Sequence, residues 1–270
     1  MTALISNLVA IITGGSSGVG AATAQMLTKR GYAVLINYSR DNQLADEVVR
    51  ACVDMGGDAF AVRGDVSKDQ DCVALVQAAM ERWGRVDALV SSAATTQFVA
   101  MSNLDAVQAE DFQRVFGVNA VGPFQMARAA ARAMVNGGAI VNVSSIAGQT
   151  GSGSSFPYVL SKAALNILTV GLARTLAPCV RVNAVLPGMI EGRWMRDGLG
   201  DEAYERVKVQ FSATAALGRV SKPEQIASAV CWLLDPDSVV TGQLIVVDAG
   251  FTLGKPPSVA GATLPSAIRS

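Results

Sequence analysis

The chain has 270 residues, half of them hydrophobic and 16% charged, enough for one large α/β domain or two small ones with ample core. Its 22 basic and 22 acidic side chains cancel and no basic stripe stands out, which argues against nucleic acid or an anionic membrane as a partner. Histidine is absent, so Ser-His-Asp and Cys-His catalysis and histidine-ligated metal sites are excluded, and no metal site is expected.

Strands and helices alternate along the chain. Leu8 to Thr13 is a β-branched strand, ending in the loop Thr13-Gly14-Gly15-Ser16-Ser17-Gly18-Val19-Gly20. Ala21 to Arg30 reads as a helix stopped by Gly31, and Ala33 to Asn37 as the second strand. Gln43 to Met55 is helical and closed by Gly56-Gly57; Ala59 to Arg63 is a strand followed by the turn Gly64-Asp65. A helix over Gln70 to Trp83 precedes a strand over Ala88 to Ser91. Ala109 to Met134 is a long helical stretch containing Gly117 and Gly122-Pro123, ended by Gly137-Gly138. Ala139 to Ser144 is a strand, Tyr158 to Leu176 a helix terminated near Pro178, and Val180 to Leu186 a strand capped by Pro187-Gly188. Pro223 to Leu234 is a helix with proline in its first turn, and Leu244 to Asp248 the last strand.

This order predicts an α/β fold: a single doubly wound, Rossmann-type domain with a central parallel sheet of about seven strands and helices on both faces. It is expected to span 1–254, with a less regular substrate loop at about 191–216 and an irregular tail at 255–270. In that loop, Trp194, Met195 and Phe211 either line an apolar wall or belong to helix core.

The four cysteines (Cys52, Cys72, Cys179, Cys231) are scattered and form no C-x-x-C. They suit a reducing compartment. The first basic residue is Lys29, so a secretory signal is not expected, and no apolar run approaches the roughly 18 residues of a membrane span. A cytoplasmic protein is the expectation.

The glycine loop allows a tight turn and close approach of backbone to a pyrophosphate, and the following helix N-terminus adds N–H groups and partial positive charge. Its spacing, G-x-x-x-G-x-G, differs from the usual G-x-G-x-x-G, but its place after the first strand points to a dinucleotide. The second strand runs into Tyr38-Ser39-Arg40, with no acidic residue to accept from ribose hydroxyls. Arginine and hydroxyls suit a 2′-phosphate, which favours NADP(H) over a still possible NAD(H). A solvated surface arginine is the competing reading. Asp65 either accepts from the adenine amino group or forms the turn.

Tyr158 and Lys162 are four apart, which places them on one helix face, and Ser144-Ser145 lies just upstream. Phenol, ammonium and hydroxyl together make a candidate acid–base site.

With these pieces in order, the chain resembles the classical short-chain dehydrogenases/reductases, in particular the 3-oxoacyl-acyl-carrier-protein-reductase-like group. The likeness runs from about Leu8 to Gly250 and rests on the glycine loop, Asp65-Val66, Val118-Asn119, Ser145, Tyr158-Val159-Leu160-Ser161-Lys162 and Pro187-Gly188. It implies a catalytic set of Asn119, Ser145, Tyr158 and Lys162. Ser145 is the family's catalytic serine, thirteen before the tyrosine, and Ser144 its structural neighbour. It also implies cofactor contacts from Gly14, Ser16, Ser17, Gly18, Val19, Gly20, Tyr38, Ser39, Arg40, Asp65, Val66, Ser92, Ala93, Ala94, Tyr158, Lys162, Pro187, Gly188 and Ile190. A homotetramer with helices 109–134 and 158–176 at its interfaces is likewise implied. Two segments depart from the family. Ser91-Ser92-Ala93-Ala94 stands where N-N-A-G is common, and Gly192 where P-G-x-x-x-T has threonine.

The implied reaction is hydride transfer between the nicotinamide and a carbonyl or secondary alcohol. Tyr158 exchanges the proton, Ser145 polarises the substrate oxygen, and Asn119 holds a water linking Lys162 to solvent. Lowering a phenol pKa by about three units needs roughly 4 kcal/mol, about what one ammonium about 4 Å away supplies at an effective dielectric of about 20. Lys162 is therefore expected to depress Tyr158. An NAD-linked alcohol or sugar dehydrogenase, and a cofactor-binding sensor without catalysis, are the other readings. The pocket is expected to draw on Thr95, Thr96 and Gln97, on 149–156 and on 191–216, with Arg193 and Arg196 available to a carrier protein.

Overall fold

The computed structural model describes residues 8–254; the tail expected at 255–270 lies outside them. Seven strands form one all-parallel sheet in the order β3-β2-β1-β4-β5-β6-β7. They are β1 Val9–Thr13, β2 Ala33–Tyr38, β3 Ala59–Arg63, β4 Ala88–Ser91, β5 Gly138–Val143, β6 Val180–Pro187 and β7 Leu244–Val247. Strand order reverses between β1 and β4, the switch point at whose carboxyl ends open α/β sheets hold ligands in a crevice.

Side-chain alternation along each strand feeds two cores. Ala10, Ile12, Val34, Ile36, Val90 and Val141 face α1 (Gly18–Lys29), α2 (Asn42–Asp54) and α10 (Pro223–Leu233). Val9, Ile11, Leu35, Leu89, Ile140 and Val182 face α3 (Asp69–Trp83), α5 (Gly122–Ala133) and α7 (Phe156–Leu176). Burial of each such aliphatic side chain is worth about 1.5–3 kcal/mol, so the sheet is a stiff platform for the loops above it. Helix α7, with 21 residues and a best-window mean hydropathy of 1.3, is long and apolar enough to cross a membrane, yet half of that window is buried inside the fold. It is the layer helix beside β6.

The expected helix 109–134 runs unbroken over 109–133 but changes pitch within it. It divides into α4 (Ala109–Phe116), a π-helical turn (Gly117–Val121) and α5. Pro123 lacks the N–H that a regular ladder needs, and π turns recur at functional sites. Helix α7 starts two residues before Tyr158, where Ser155 accepts from Tyr158 N. The segment expected to be irregular holds α8 (Arg193–Leu199) and α9 (Asp201–Thr214). Tyr204 is the one side chain of these two helices that is fully buried, so they carry little apolar periodicity to read.

Candidate active site

The glycine loop closes on neighbouring backbone. Gly14 has φ +61°, and a Cβ there would sit 2.7 Å from Ala93 Cα. A Cβ at Gly20 would meet the Gly14 carbonyl at 2.3 Å. Only hydrogen fits at either position. Ser17, at the N-cap of α1, makes no side-chain capping bond, and Ser17 and Gly18 are exposed, with Ser16 half-buried and Val19 buried. A helix start without a side-chain cap beside a cradle that admits no Cβ is the geometry a pyrophosphate requires, so the residues present fit a dinucleotide.

Two side chains that sequence reasoning did not single out hold this cradle. Buried Asn37 accepts from Gly14 N at 3.4 Å and donates to Gly64 O at 3.0 Å, tying the loop to the exit of β3. Thr13 Oγ1 accepts from Ser92 N at 3.1 Å and Ala93 N at 3.2 Å. The two N–H groups expected to serve a cofactor are therefore already engaged by Thr13, while Ala94 beside them is exposed. Neither Asn37 nor Thr13 belongs to a spacing pattern; their role arises from sheet register.

At the adenosine end, Tyr38 is half-buried, and Ser39 and Arg40 are exposed. Asp65 Oδ1 accepts from both Ser67 N (3.0 Å) and Ser67 Oγ (2.7 Å), so its turn-forming role is realised. Those Ser67 hydrogen bonds, with Lys68 and Arg40 nearby, hold its carboxyl below the usual range. Val66 is buried and packs where a Cβ on Gly122 would approach within 2.9 Å. Arg63, missed by sequence reasoning, lies opposite Tyr38 in the β2–β3 register and donates Nε to Ser39 O at 3.3 Å. Among the described residues neither Arg40 nor Arg63 joins an ion pair. On the other side, Pro187 is buried at the end of β6, Gly188 N donates to Val247 O at 3.3 Å, and Ile190 bridges to Ser221.

Across the crevice, β5 and α7 bring Ser145, Tyr158 and Lys162 together. Lys162 is 2% exposed, its Nζ donates to Val143 O at 2.9 Å, and it lies 5.6 Å from the centre of the Tyr158 ring. Burial pushes the Tyr158 hydroxyl up to about 12, with the Ser145 hydroxyl acting in the opposite direction through a hydrogen bond. Burial pulls the Lys162 ammonium down to about 8. The expected depression of Tyr158 by Lys162 is not found: burial dominates, and the ammonium points at a backbone carbonyl. Ser145 Oγ accepts from Ala147 N at 3.1 Å, while Ser144 turns inward to Asn166 (2.7 Å) and the Lys162 carbonyl (3.2 Å).

Asn119 is fully buried on the π turn. Its Oδ1 accepts from Thr95 N (2.8 Å), and its Nδ2 donates to Thr95 O (2.9 Å) and Ser161 Oγ (3.0 Å). Both Nδ2 protons and one acceptor site of Oδ1 are thus used within the protein. Pro123 has no N–H for the carbonyl four residues earlier, so the Asn119 backbone oxygen lacks an α-helical partner. Ser161 completes the link by donating to Tyr158 O at 2.7 Å.

Met195 and Phe211 pack with Met189, Tyr204 and Val220 in a small separate core, and Phe211 stacks on Phe251 at 4.2 Å. Trp194 instead lies 5.9 Å from the Tyr158 ring. Arg196 pairs with Asp201 (2.7 Å) and Glu205 (3.0 Å) at the surface, while Arg193, the other candidate for a carrier protein, is exposed. A cavity of about 360 Å³ at the opposite end of the strands is lined by Tyr32, Arg85, Asp87, Cys179 and Arg181. Arg85 pairs with Asp87, and Arg181 caps backbone carbonyls, so these charges are satisfied internally.

A family model described as enoyl-(acyl carrier protein) reductase matches residues 14–252. A Streptomyces violaceoruber protein named as ketoacyl reductase 2 of granaticin polyketide synthase is 38% identical over 247 residues, covering 91% of this chain and 96% of its own. Glucose 1-dehydrogenase 2 of Bacillus subtilis (strain 168) is 34% identical over 249 residues, covering 90% and 94%. A crystal structure described as a short-chain dehydrogenase/reductase from Burkholderia xenovorans superposes with a TM-score of 0.83 at 38% identity, covering 92% and 99%.

Proposed function

The chain belongs to the short-chain dehydrogenase/reductase family, and on that premise we propose that it is an NADP(H)-dependent reductase of a carbonyl compound, with Tyr158 as proton donor. The observation that carries the reading is geometric: the Tyr158 hydroxyl hydrogen-bonds with the Ser145 hydroxyl, and the Lys162 ammonium lies 5.6 Å from the Tyr158 ring. The phenol carries a proton that it can give to a carbonyl oxygen.

When bound, the nicotinamide supplies the hydride to the carbonyl carbon. Ser145 donates to the carbonyl oxygen and polarises it. Tyr158 passes its proton to that oxygen as charge develops there. Lys162 stabilises the resulting phenolate and replaces its proton. The Asn119 backbone oxygen, freed by Pro123, holds the water through which Lys162 is reprotonated, while the Asn119 side chain positions the Thr95 backbone.

Arg40 and Arg63 favour NADP(H): Arg63 donates to Ser39 O, Arg40 follows Ser39 in sequence, and among the described residues neither joins an ion pair, leaving both available to a 2′-phosphate. The similarity to a glucose dehydrogenase keeps NAD-linked alcohol or sugar oxidation as the second reading. A homotetramer is also proposed: Phe124 on α5 and Leu160 and Ile167 on α7 are large apolar side chains left exposed. All four cysteines are free thiols, which supports a cytoplasmic location.

The test is NADPH oxidation across a carbonyl panel by the wild type and Tyr158→Phe. Turnover is expected to fall by roughly 10²–10⁴-fold in the variant, with cofactor affinity and melting temperature nearly unchanged. A variant as active as wild type overturns the mechanism.

A further inference from the structure

We propose that Trp194 sets the substrate class, selecting compounds whose reacting carbonyl is carried on a flat, apolar ring; this rests on the reading of Tyr158 as proton donor. Trp194 stands in the first turn of α8, with its ring 5.9 Å from Tyr158 and 5.7 Å from Phe98. Even so, it is 47% exposed. A large indole held by two rings and open on another side, beside the reacting phenol, is a wall and not a core residue.

The wall is held in place from behind. A Cβ on Gly198 would lie 1.9 Å from the Phe98 ring, so α8 seats on Phe98 only because residue 198 has no side chain. The strip carrying Phe98 is fixed to the start of α7 by Val99 N to Ser154 O (2.9 Å) and by the Thr96–Ser154 hydroxyl pair (2.6 Å). Arg196 braces α8 onto α9, and Lys208 pairs with Glu191 at 2.7 Å. Arg196 and Arg114, whose guanidinium is engaged by Asp111 and Gln97, therefore offer no free charge at this wall. Arg193 and Asp197 on α8 are exposed and join no ion pair among the described residues, so it is the Trp194 and Phe98 rings that favour a planar apolar group stacking on them.

The test compares two ketones of equal carbon number, α-tetralone and 2-decanone, by kcat/KM in wild type, Trp194→Ala and Trp194→Phe. Wild type is expected to prefer α-tetralone, and Trp194→Ala to lower that preference by roughly tenfold, mainly through KM, with Trp194→Phe restoring much of it. Quenching of tryptophan fluorescence by α-tetralone in the presence of NADP+ is expected in wild type and reduced in Trp194→Phe, which gives a binding readout independent of turnover. Open-chain ketones or 3-oxoacyl thioesters outranking ring ketones in the wild type, or a Trp194→Ala variant whose preference is unchanged, overturns the proposal while leaving the reductase reading intact. A wild type no more active than Tyr158→Phe on any carbonyl overturns the reductase reading itself.

Discussion

The Lys162 ammonium donates to the Val143 carbonyl at 2.9 Å, which anchors it to the last residue of β5 and not to the Tyr158 hydroxyl. Its distance from water, more than its distance from the phenol, governs how both groups titrate.

The pH profile follows. Lys162 is charged below about 8 and neutral above it, so reduction that needs its proton is expected to decline as pH rises through about 8. The same shift has a stability consequence. The folded value of about 8 is below the ordinary 10.5, so between these values the unfolded chain binds more protons, and this group makes stability rise with pH there. Initial reduction rates from pH 6 to 10, and melting temperatures over the same range against Lys162→Met, check both. A reduction rate that climbs through pH 8 would contradict the assignment.

Ser161 links the π turn to the start of α7, accepting from Asn119 Nδ2 and donating to the Tyr158 carbonyl. Ser161→Ala leaves a buried amide N–H without its partner and is expected to cost about 1–3 kcal/mol. Urea denaturation reads that loss. Turnover is expected to fall with cofactor affinity little changed, since Ser161 makes no contact with the glycine loop.

Cofactor choice divides between Arg40 and Arg63. Each substitution by alanine is expected to remove a charge-assisted contact of about 1.5–3 kcal/mol, raising the KM for NADPH by roughly ten- to a hundredfold. The KM for NADH is expected to move little. Equal effects on both cofactors would remove the phosphate role.

Gly14→Ala places a Cβ 2.7 Å from the Ala93 backbone at a φ of +61°. The strained backbone alone costs roughly 1–3 kcal/mol, and the loop must also move away from the β4 exit. Lost dinucleotide binding by calorimetry, with a lowered melting temperature, is the expected pair of results. Gly18→Ala, at φ +52° with open space around it, is expected to be milder.

Local chemistry made much of this protein legible without coordinates. β-branched runs and glycine stops mark the seven strands. The loop 13–20 falls between a strand and a helix, and a spacing of four puts Tyr158 and Lys162 on one face. All these signals lie within a few residues of one another. What tertiary structure decided depends on residues far apart in sequence. Asn119 meets Thr95 across 24 positions and Ser161 across 42, and Thr13 reaches Ala93 across 80. Arg63 comes beside Ser39 through the β2–β3 register, and Phe98 seats against Gly198. The direction in which burial moves the phenol was not legible for the same reason. A spacing of four specifies that phenol and ammonium are neighbours, but the water excluded around them, which sets their titration, is determined by every element packed against α7.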